Sequence, residues 1–225
     1  MNKIIFTDND WAKMSAHFIV NCIKDVLEEK NKCSIFLTGG RSASRIYPFL
    51  GEKLRNIRGK IDFYIGDERC VAEFHADSNY GMIHKILFPF GLSEEQVLYK
   101  MFDVKDDAES AALKYEAVLP EKPDIILLGL GDDGHVASLF PETSWQITHG
   151  RKVTTAVSPI NGIQRVSITK DIIDSASEIF VFASGRSKSK ILAKLADETA
   201  NTDIPGTLAL RGLWLLDESA ANSKE

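Results

Sequence analysis

The amino-acid sequence predicts an α/β fold, in which a mostly parallel sheet forms the middle of three layers and helices cover both of its faces. The first observation is a set of short, largely apolar runs, such as residues 33–37, 124–128 and 179–183. Runs of this length are typical of strands buried on both faces. The second observation is that segments with helical spacing of apolar residues alternate with these runs. The alternation favours a Rossmann-like arrangement, in which ligands bind beyond the carboxyl ends of the strands.

The elements follow one another along the chain. Trp11, Met14 and Phe18 recur at helical spacing after an acidic cap region at residues 8–10, which predicts the first helix. Each predicted strand is a short apolar or alternating run bounded by turn residues or polar residues. In chain order, the sequence predicts strands at 33–37, 61–65, 124–128, 152–157, 165–169, 179–183 and 213–216, and further helices at 46–54, 80–87, 106–118 and 187–196.

The composition is that of an ordinary globular protein. Hydrophobic residues make up 44% and charged residues 26% of the 225 residues, which indicates neither a disordered nor a membrane protein. The formal net charge of −5 argues against a general nucleic-acid-binding surface. The three cysteines lack close paired spacing, which indicates reduced thiols. We expect a cytoplasmic protein with one domain over residues 1–225 and neither a membrane nor a nucleic-acid partner, whereas the oligomeric state cannot be read from the sequence.

The first candidate site is a glycine loop between the strand at 33–37 and the following helix. Gly39 and Gly40 allow the backbone to approach a ligand closely, and the free N–H groups of a helix N-terminus favour an anion. Arg41 adds a permanent charge and Ser42 adds a hydroxyl group. The segment therefore predicts phosphate binding, although an ordinary strand-to-helix turn has the same composition.

A second cluster follows the strand at 61–65. Asp67 and Arg69 lie directly after its end, at the sheet edge where ligands bind. A surface ion pair would give the same pattern. The position of the cluster, rather than its composition, makes it a candidate.

The third candidate is the segment 129–135, whose three glycines after a strand match a dinucleotide-binding fingerprint. Asp132 and Asp133 would place negative charge where a pyrophosphate binds, and no acidic residue ends the next strand, so we reject that interpretation. What remains is a glycine loop that presents Asp133 and His135 at a strand end. A histidine titrates near neutral pH and can take a proton from water, whereas a structural histidine would merely satisfy a loop carbonyl.

Two further cations are candidates for binding an anion. Arg165 opens the strand at 165–169, and Lys188 follows a glycine turn at the start of a helix. Each is also compatible with a solvated surface charge. Together with the glycine loop they would form the concentrated positive site that an acidic protein needs for an anionic substrate. Arg186 and Lys190 are neighbours to which the sequence assigns no role.

Taken in order, these segments resemble the 6-phosphogluconolactonase family, within the glucosamine-6-phosphate isomerase superfamily. The resemblance runs nearly end to end, and several ordered motifs are more specific than any single one. The matching segments are 38–42, 66–69 with 77–79, 129–141, 165–169, Gly185 with Lys188, and 212–217.

The resemblance implies the fold of that superfamily and the hydrolysis of 6-phospho-D-glucono-1,5-lactone to 6-phosphogluconate, in the oxidative pentose phosphate pathway. It implies His135 as the general base toward water, with Asp133 or Asp67 orienting it. Arg69 would contact the carbonyl oxygen or the phosphate. Lactone hydrolysis requires an activated water and a stabilised oxyanion, so no metal ion or cofactor is expected. The implied phosphate-binding set is Gly39, Gly40, Arg41, Ser42, Arg165 and Lys188.

Three alternatives stay open at this point. Related deaminases/isomerases carry a glutamate just before the proline of the histidine segment, where this chain has Phe140, which cannot relay a proton. A phosphosugar-binding sensor would keep the pocket without needing a base. The chain also departs from the family pattern at Ser42–Ala43, where a proline is usual, and at 158–164, which is less proline-rich. These departures allow a lactonase for a different phosphosugar lactone.

Overall fold

The computed structural model of the chain describes residues 1–197 and 203–222. The strands in these ranges are β1 (Asn2–Phe6), β2 (Lys32–Leu37), β3 (Lys60–Ile65), β4 (Asp67–Arg69), β5 (Gln96–Leu98), β6 (Ile125–Gly129), β7 (Val153–Val157), β8 (Gln164–Ile168), β9 (Glu178–Ala183) and β10 (Leu213–Asp217). The helices are α1 (Trp11–Lys30), α2 (Gly40–Leu54), α3 (Asn79–Leu87), α4 (Ala108–Glu116), α5 (Lys170–Ser175), α6 (Ser189–Ala196) and α7 (Glu218–Ala221), with 3₁₀ helices at Arg186–Lys188 and Pro205–Ala209.

Seven strands form one sheet in which every neighbouring pair is parallel, in the order β1-β10-β9-β6-β2-β3-β5. The predicted α/β class with a mostly parallel sheet is thereby confirmed. Nearly every residue of β2, β6 and β9 is buried, so the middle of the sheet is covered on both faces. No helix in the described ranges is both long and apolar enough to cross a membrane.

Two of the predicted strands, β7 and β8, do not join this sheet. They pair in antiparallel fashion with each other, and β8 pairs with the short strand β4, which gives a separate sheet of order β4-β8-β7. Strand β4 follows β3 after the single residue Gly66, so the chain leaves one sheet and enters the other at this point. Strand periodicity reports burial rather than pairing partner, which is why the sequence did not separate the two sheets.

Two strands of the large sheet were not predicted, and both lie at its edges. β1 is mostly exposed, with Ile5 46% accessible, and β5 has only three residues. Short edge strands lack the continuous burial that makes a central strand recognisable. The predicted helix ends also shift: α2 begins earlier, at the glycine turn itself, and α4 begins after Asp107, whose carboxylate accepts a hydrogen bond of 2.8 Å from the backbone of Ser110.

The strand order places a switch point between β2 and β6. From β2 the chain continues through α2 to β3 on one side, whereas from β6 it continues to β9 and β10 on the other. Because parallel crossovers are right-handed, the connecting helices α2 and α6 lie on opposite faces of the sheet. The loops that follow β2 and β6 therefore diverge, and a crevice opens between them. The hydroxyl of Thr38, after β2, accepts a hydrogen bond of 3.2 Å from the backbone of Gly129 in β6 and joins the two strand ends.

Candidate active site

A cleft of about 660 Å³ opens at this switch point, at the carboxyl ends of the strands. Loops after β2, β3, β6 and β9 would be expected to meet here, since parallel strands end at one edge. The small sheet adds Arg165 from β8 and the loop that precedes this strand. The cleft collects every site residue that the sequence predicts. These are Gly39, Gly40, Arg41, Ser42, Asp67, Arg69, Asp133, His135, Arg165 and Lys188.

The glycine loop leads directly into the N-terminus of α2. Gly39 occupies the cap position without a side-chain cap, so the first amides of a 15-residue helix face the cleft. Gly40 has φ of +88°, a left-handed conformation that favours glycine. At Gly39 the restriction is steric, because a Cβ atom would lie 1.8 Å from Oδ1 of Asn79. The loop therefore holds an anion-binding helix terminus open to the cleft.

The side chains of His135 and Asp133 are hydrogen-bonded to each other. Oδ1 of Asp133 lies 2.6 Å from Nδ1 of His135 and also accepts a hydrogen bond of 3.1 Å from the His135 backbone. Burial raises the pKa of Asp133, but the hydrogen bonds and charge of His135 outweigh it and leave that pKa below its ordinary value. An ionised Asp133 accepts the proton of Nδ1, which leaves Nε2 with its lone pair. The geometry suits a base oriented by a carboxylate.

The backbone around this pair is shaped to receive it. A Cβ atom on Gly131 would lie 2.1 Å from Nδ1 of His135 and 2.5 Å from Oδ1 of Asp133, so only glycine leaves room for them. Ala137 adopts φ of +50°, an unfavourable conformation for a residue with a Cβ atom, at the wall of the cleft. Phe140 is buried, with its ring centroid 5.0 Å from that of His135. The imidazole therefore packs on an apolar ring. In the related deaminases/isomerases a glutamate that can relay a proton occupies the position of this ring.

Asp67 does not carry the hydrogen bond to His135 but joins three loops of the cleft. Its carboxylate accepts hydrogen bonds of 2.6 Å from Oγ of Ser138 and 3.2 Å from Nδ2 of Asn79. A guanidinium nitrogen of Arg165 lies 3.8 Å away. Since Ser138 belongs to the histidine loop and Asn79 abuts the glycine loop, Asp67 fixes the loops relative to one another. Of the two carboxylates proposed to orient the base, Asp133 is the one in contact with it.

Arg69 and Arg165 stand side by side as register partners of β4 and β8. Burial, and then the neighbouring charge of Arg69, lower the pKa of Arg165; the guanidinium nevertheless stays charged at neutral pH. Nε of each arginine is buried, and neither Nε has a hydrogen-bond partner among the residues that the structure describes. Two adjacent, under-satisfied guanidinium groups are a strong attractor for an anion.

Lys188 comes from the turn after β9. Its side chain is 11% exposed, and its ammonium lies 2.6 Å from Oδ1 of Asp132. That contact with Lys188 is the main cause that lowers the pKa of Asp132. The turn is held by buried Asp217, which accepts hydrogen bonds from the backbone of Gly185 at 2.9 and 3.1 Å and from Ser184 at 2.6 Å. Asp217 thereby fixes the backbone that delivers Lys188.

Sequence reasoning missed several residues that organise the cleft. Glu68 is buried and accepts hydrogen bonds from the backbone of Asn79 and Tyr80 at the start of α3. Burial raises the pKa of Glu68, against these opposing hydrogen bonds. The Glu68 carboxylate could have been suspected from the helix that starts eleven residues later. No local pattern points to Ser138, Asp132 or Asp217. Arg186, to which no role was assigned, also lines the cleft, together with Arg45.

The chain is similar to known proteins over nearly its whole length. Residues 7–214 match the sequence model of the family described as glucosamine-6-phosphate isomerases/6-phosphogluconolactonase. A 6-phosphogluconolactonase of Treponema pallidum is 34% identical over 212 residues, covering 88% of this chain and 85% of that protein. One from Pseudomonas putida is 32% identical over 203 residues, covering 86% and 81%. The crystal structure of 6-phosphogluconolactonase from Thermotoga maritima superposes with a TM-score of 0.81 at 25% identity, covering 96% of this chain and 99% of that one. The chain belongs to the glucosamine-6-phosphate isomerase/6-phosphogluconolactonase family.

Proposed function

We propose that the protein hydrolyses 6-phospho-D-glucono-1,5-lactone to 6-phosphogluconate, a step of the oxidative pentose phosphate pathway. The observation that carries the proposal is the Asp133–His135 pair, with 2.6 Å between Oδ1 and Nδ1, in a cleft lined by arginines and a lysine. The relatives named 6-phosphogluconolactonase support the same reaction. Their family also contains isomerases, so the choice between reactions rests on the residues of the cleft.

The reaction begins with a water molecule held by Nε2 of His135. As the water oxygen attacks C1 of the lactone, Nε2 takes one of its protons, and Asp133 stabilises the imidazolium that forms. A tetrahedral intermediate carries negative charge on the former carbonyl oxygen. The bond from C1 to the ring oxygen then breaks, and the leaving oxygen takes the proton from His135. The product is an open-chain carboxylic acid, which ionises and releases a proton to solvent.

The cations of the cleft divide between the phosphate and the developing oxyanion. Arg165 and Lys188, with the α2 N-terminus and its Arg41 and Ser42, are proposed to hold the phosphate. Arg69 is available to the carbonyl oxygen, since its Nε is buried without a partner in the described part of the chain. Binding of the phosphate at one end fixes the orientation of the ring, so that C1 lies next to the water at the other end. The attack of water is then effectively an intramolecular step.

Isomerisation is disfavoured by Phe140. Moving a proton between C1 and C2 of a sugar requires a relay, and the position beside the imidazole is filled by a buried phenyl ring 5.0 Å from it. A sensor without turnover would not require an oriented base. The lactonase chemistry needs no metal ion or cofactor. A single domain, a cytoplasmic location and the absence of nucleic-acid or membrane partners stay proposals.

The test is an assay of lactone hydrolysis at mildly acidic pH, where the spontaneous reaction is slow. The wild type is compared with His135→Ala and with His17→Ala, a matched control on the exposed surface of α1. We expect His135→Ala to lose about 10²- to 10⁴-fold in kcat and His17→Ala to retain it. Equal rates for the wild type and His135→Ala would contradict the mechanism. Ammonia release from glucosamine 6-phosphate would support the isomerase class, and binding of the lactone without turnover would support a sensor.

A further inference from the structure

The ammonium group that is proposed to bind phosphate already has a carboxylate partner. Nζ of Lys188 lies 2.6 Å from Oδ1 of Asp132, and the hydroxyl of Ser187 donates a hydrogen bond of 3.0 Å to the same oxygen. The side chain of Lys188 is 11% exposed, whereas that of Asp132 is 55% exposed. The pair therefore lies at the wall of the cleft, with the carboxylate on the side open to solvent.

In the part of the chain that the structure describes, the acids that line the cleft are Asp67, Asp132 and Asp133. Asp67 and Asp133 have a structural or catalytic use in the proposed mechanism, whereas Asp132 has none. Asp133 orients the base, and Asp67 joins the loops through Ser138 and Asn79. Asp132 makes its contacts with Lys188 and Ser187, both in the segment that presents the lysine. The contact with Lys188 and the charge of Arg41 favour its ionised form. A full negative charge therefore stands beside a proposed phosphate ligand.

We propose that Asp132 is an internal counter-ion that competes with the phosphate of the substrate for Lys188 and thereby lowers the affinity of the cleft for phosphate esters. This inference rests on the proposed function, in that it takes Lys188 as a phosphate ligand. Asp132 is an affinity-determining residue and takes no part in the proton transfer. The product carries the same phosphate as the substrate, so weaker phosphate binding also shortens the time for which the product occupies the cleft.

The size of the effect follows from the geometry of an ammonium group. Two oxygens bound to different hydrogens of one tetrahedral nitrogen, at hydrogen-bond distance, lie about 4 Å apart. Repulsion between two unit charges at that distance in water changes a dissociation constant about fivefold, and a phosphate dianion feels about the square of that factor. The open position of Asp132 makes the aqueous value the appropriate one. We expect an effect of about five- to twenty-fivefold.

The experiment is a calorimetric titration of the whole protein with inorganic phosphate at constant ionic strength. Asp132→Asn keeps the shape and an oxygen acceptor for Lys188 while removing the charge, and Asp132→Ala removes both. We expect both variants to bind phosphate about five- to twenty-fivefold more tightly than the wild type. The matched control is Asp174→Asn, which removes the same charge from another lysine–aspartate pair, 3.0 Å apart on α5. We expect it to leave phosphate binding unchanged.

The opposite result would give Asp132 a different role. Weaker phosphate binding by Asp132→Asn would show that the carboxylate positions Lys188. An unchanged dissociation constant would show that Asp132 neither competes with phosphate nor positions Lys188. Both outcomes overturn the proposal. Thermal melts establish that each variant is folded, which is expected because the Asp132 side chain is half exposed. The titration needs no lactone, so it decides about Asp132 even if the lactonase assay fails.

Discussion

Replacing Asp133 with asparagine tests how the base is oriented. The variant keeps the size of the side chain but removes the charge that lies 2.6 Å from Nδ1 of His135. In the proposed mechanism His135 becomes a cation in the transition state, and loss of the attraction to Asp133 then raises the barrier. For charges about 4 Å apart near a protein surface this attraction is about 4 kcal/mol. The two side chains are 26% and 36% exposed, so screening by solvent reduces it. A net loss of about 2.7 kcal/mol corresponds to about 10²-fold in kcat.

The assay follows the proton that each hydrolysis releases, in a weakly buffered solution at mildly acidic pH. The KM of Asp133→Asn is expected to change little, since the phosphate contacts are untouched. The double variant with His135→Ala should be no slower than His135→Ala alone, because the two residues act as a unit. Glu142→Gln serves as control, since it removes an exposed carboxylate from the same loop outside the cleft. A kcat for Asp133→Asn within about threefold of the wild type would refute the orienting role.

Gly131→Ala should abolish most activity while far-UV circular dichroism stays native, because the new methyl group would lie 2.1 Å from Nδ1 of His135; full activity would contradict the packing argument. Phe140→Ala should lower the free energy of unfolding by about 3 kcal/mol in urea titrations, since a fully buried ring is lost. The pKa of Asp124 is lowered because its hydrogen bonds from Lys30 and Ser34 outweigh the opposing effect of burial. Its stabilising contribution is therefore present above about pH 4 and lost as pH falls through the folded-state pKa. In Asp124→Asn the free energy of unfolding should depend less on pH in this acidic range. Exhaustive treatment with EDTA should leave kcat unchanged, since a histidine base activates water without a metal; a loss restored by a divalent cation would contradict this.

The cleft could be predicted from the sequence as far as local patterns and parallel topology determine it. A strand followed by glycines places Gly39, Gly40 and His135 at a strand end, and parallel strands bring their ends to one edge. The bond between Asp133 and His135 is also local, since the two residues are two positions apart. The charge of these residues and their position at strand ends were therefore sufficient to predict that they line one cleft.

The contacts between distant segments could not be predicted in this way. Ser138 and Asp67 are separated by 71 positions, and Ser187 and Asp132 by 55. Such pairings depend on how loops pack after the sheet has formed, and a single sequence carries no periodic signal for them. The same reasoning explains the small sheet: Arg165 was predicted to lie in a strand, but its neighbour Arg69 becomes visible only once β4 and β8 are paired.

The buried carboxylate of Asp67 couples catalytic competence to the docking of the small sheet. Its partners come from the histidine loop, from α3 and from β8. His135, Arg69 and Arg165 therefore keep their relative positions only while the sheet of β4, β8 and β7 stays docked. Proteins open in cooperative units of unequal stability, and a three-stranded unit at the rim opens more readily than a seven-stranded core. Activity then reports whether the small sheet is docked. Moderate heating should therefore abolish activity at a temperature at which the parallel sheet is still folded.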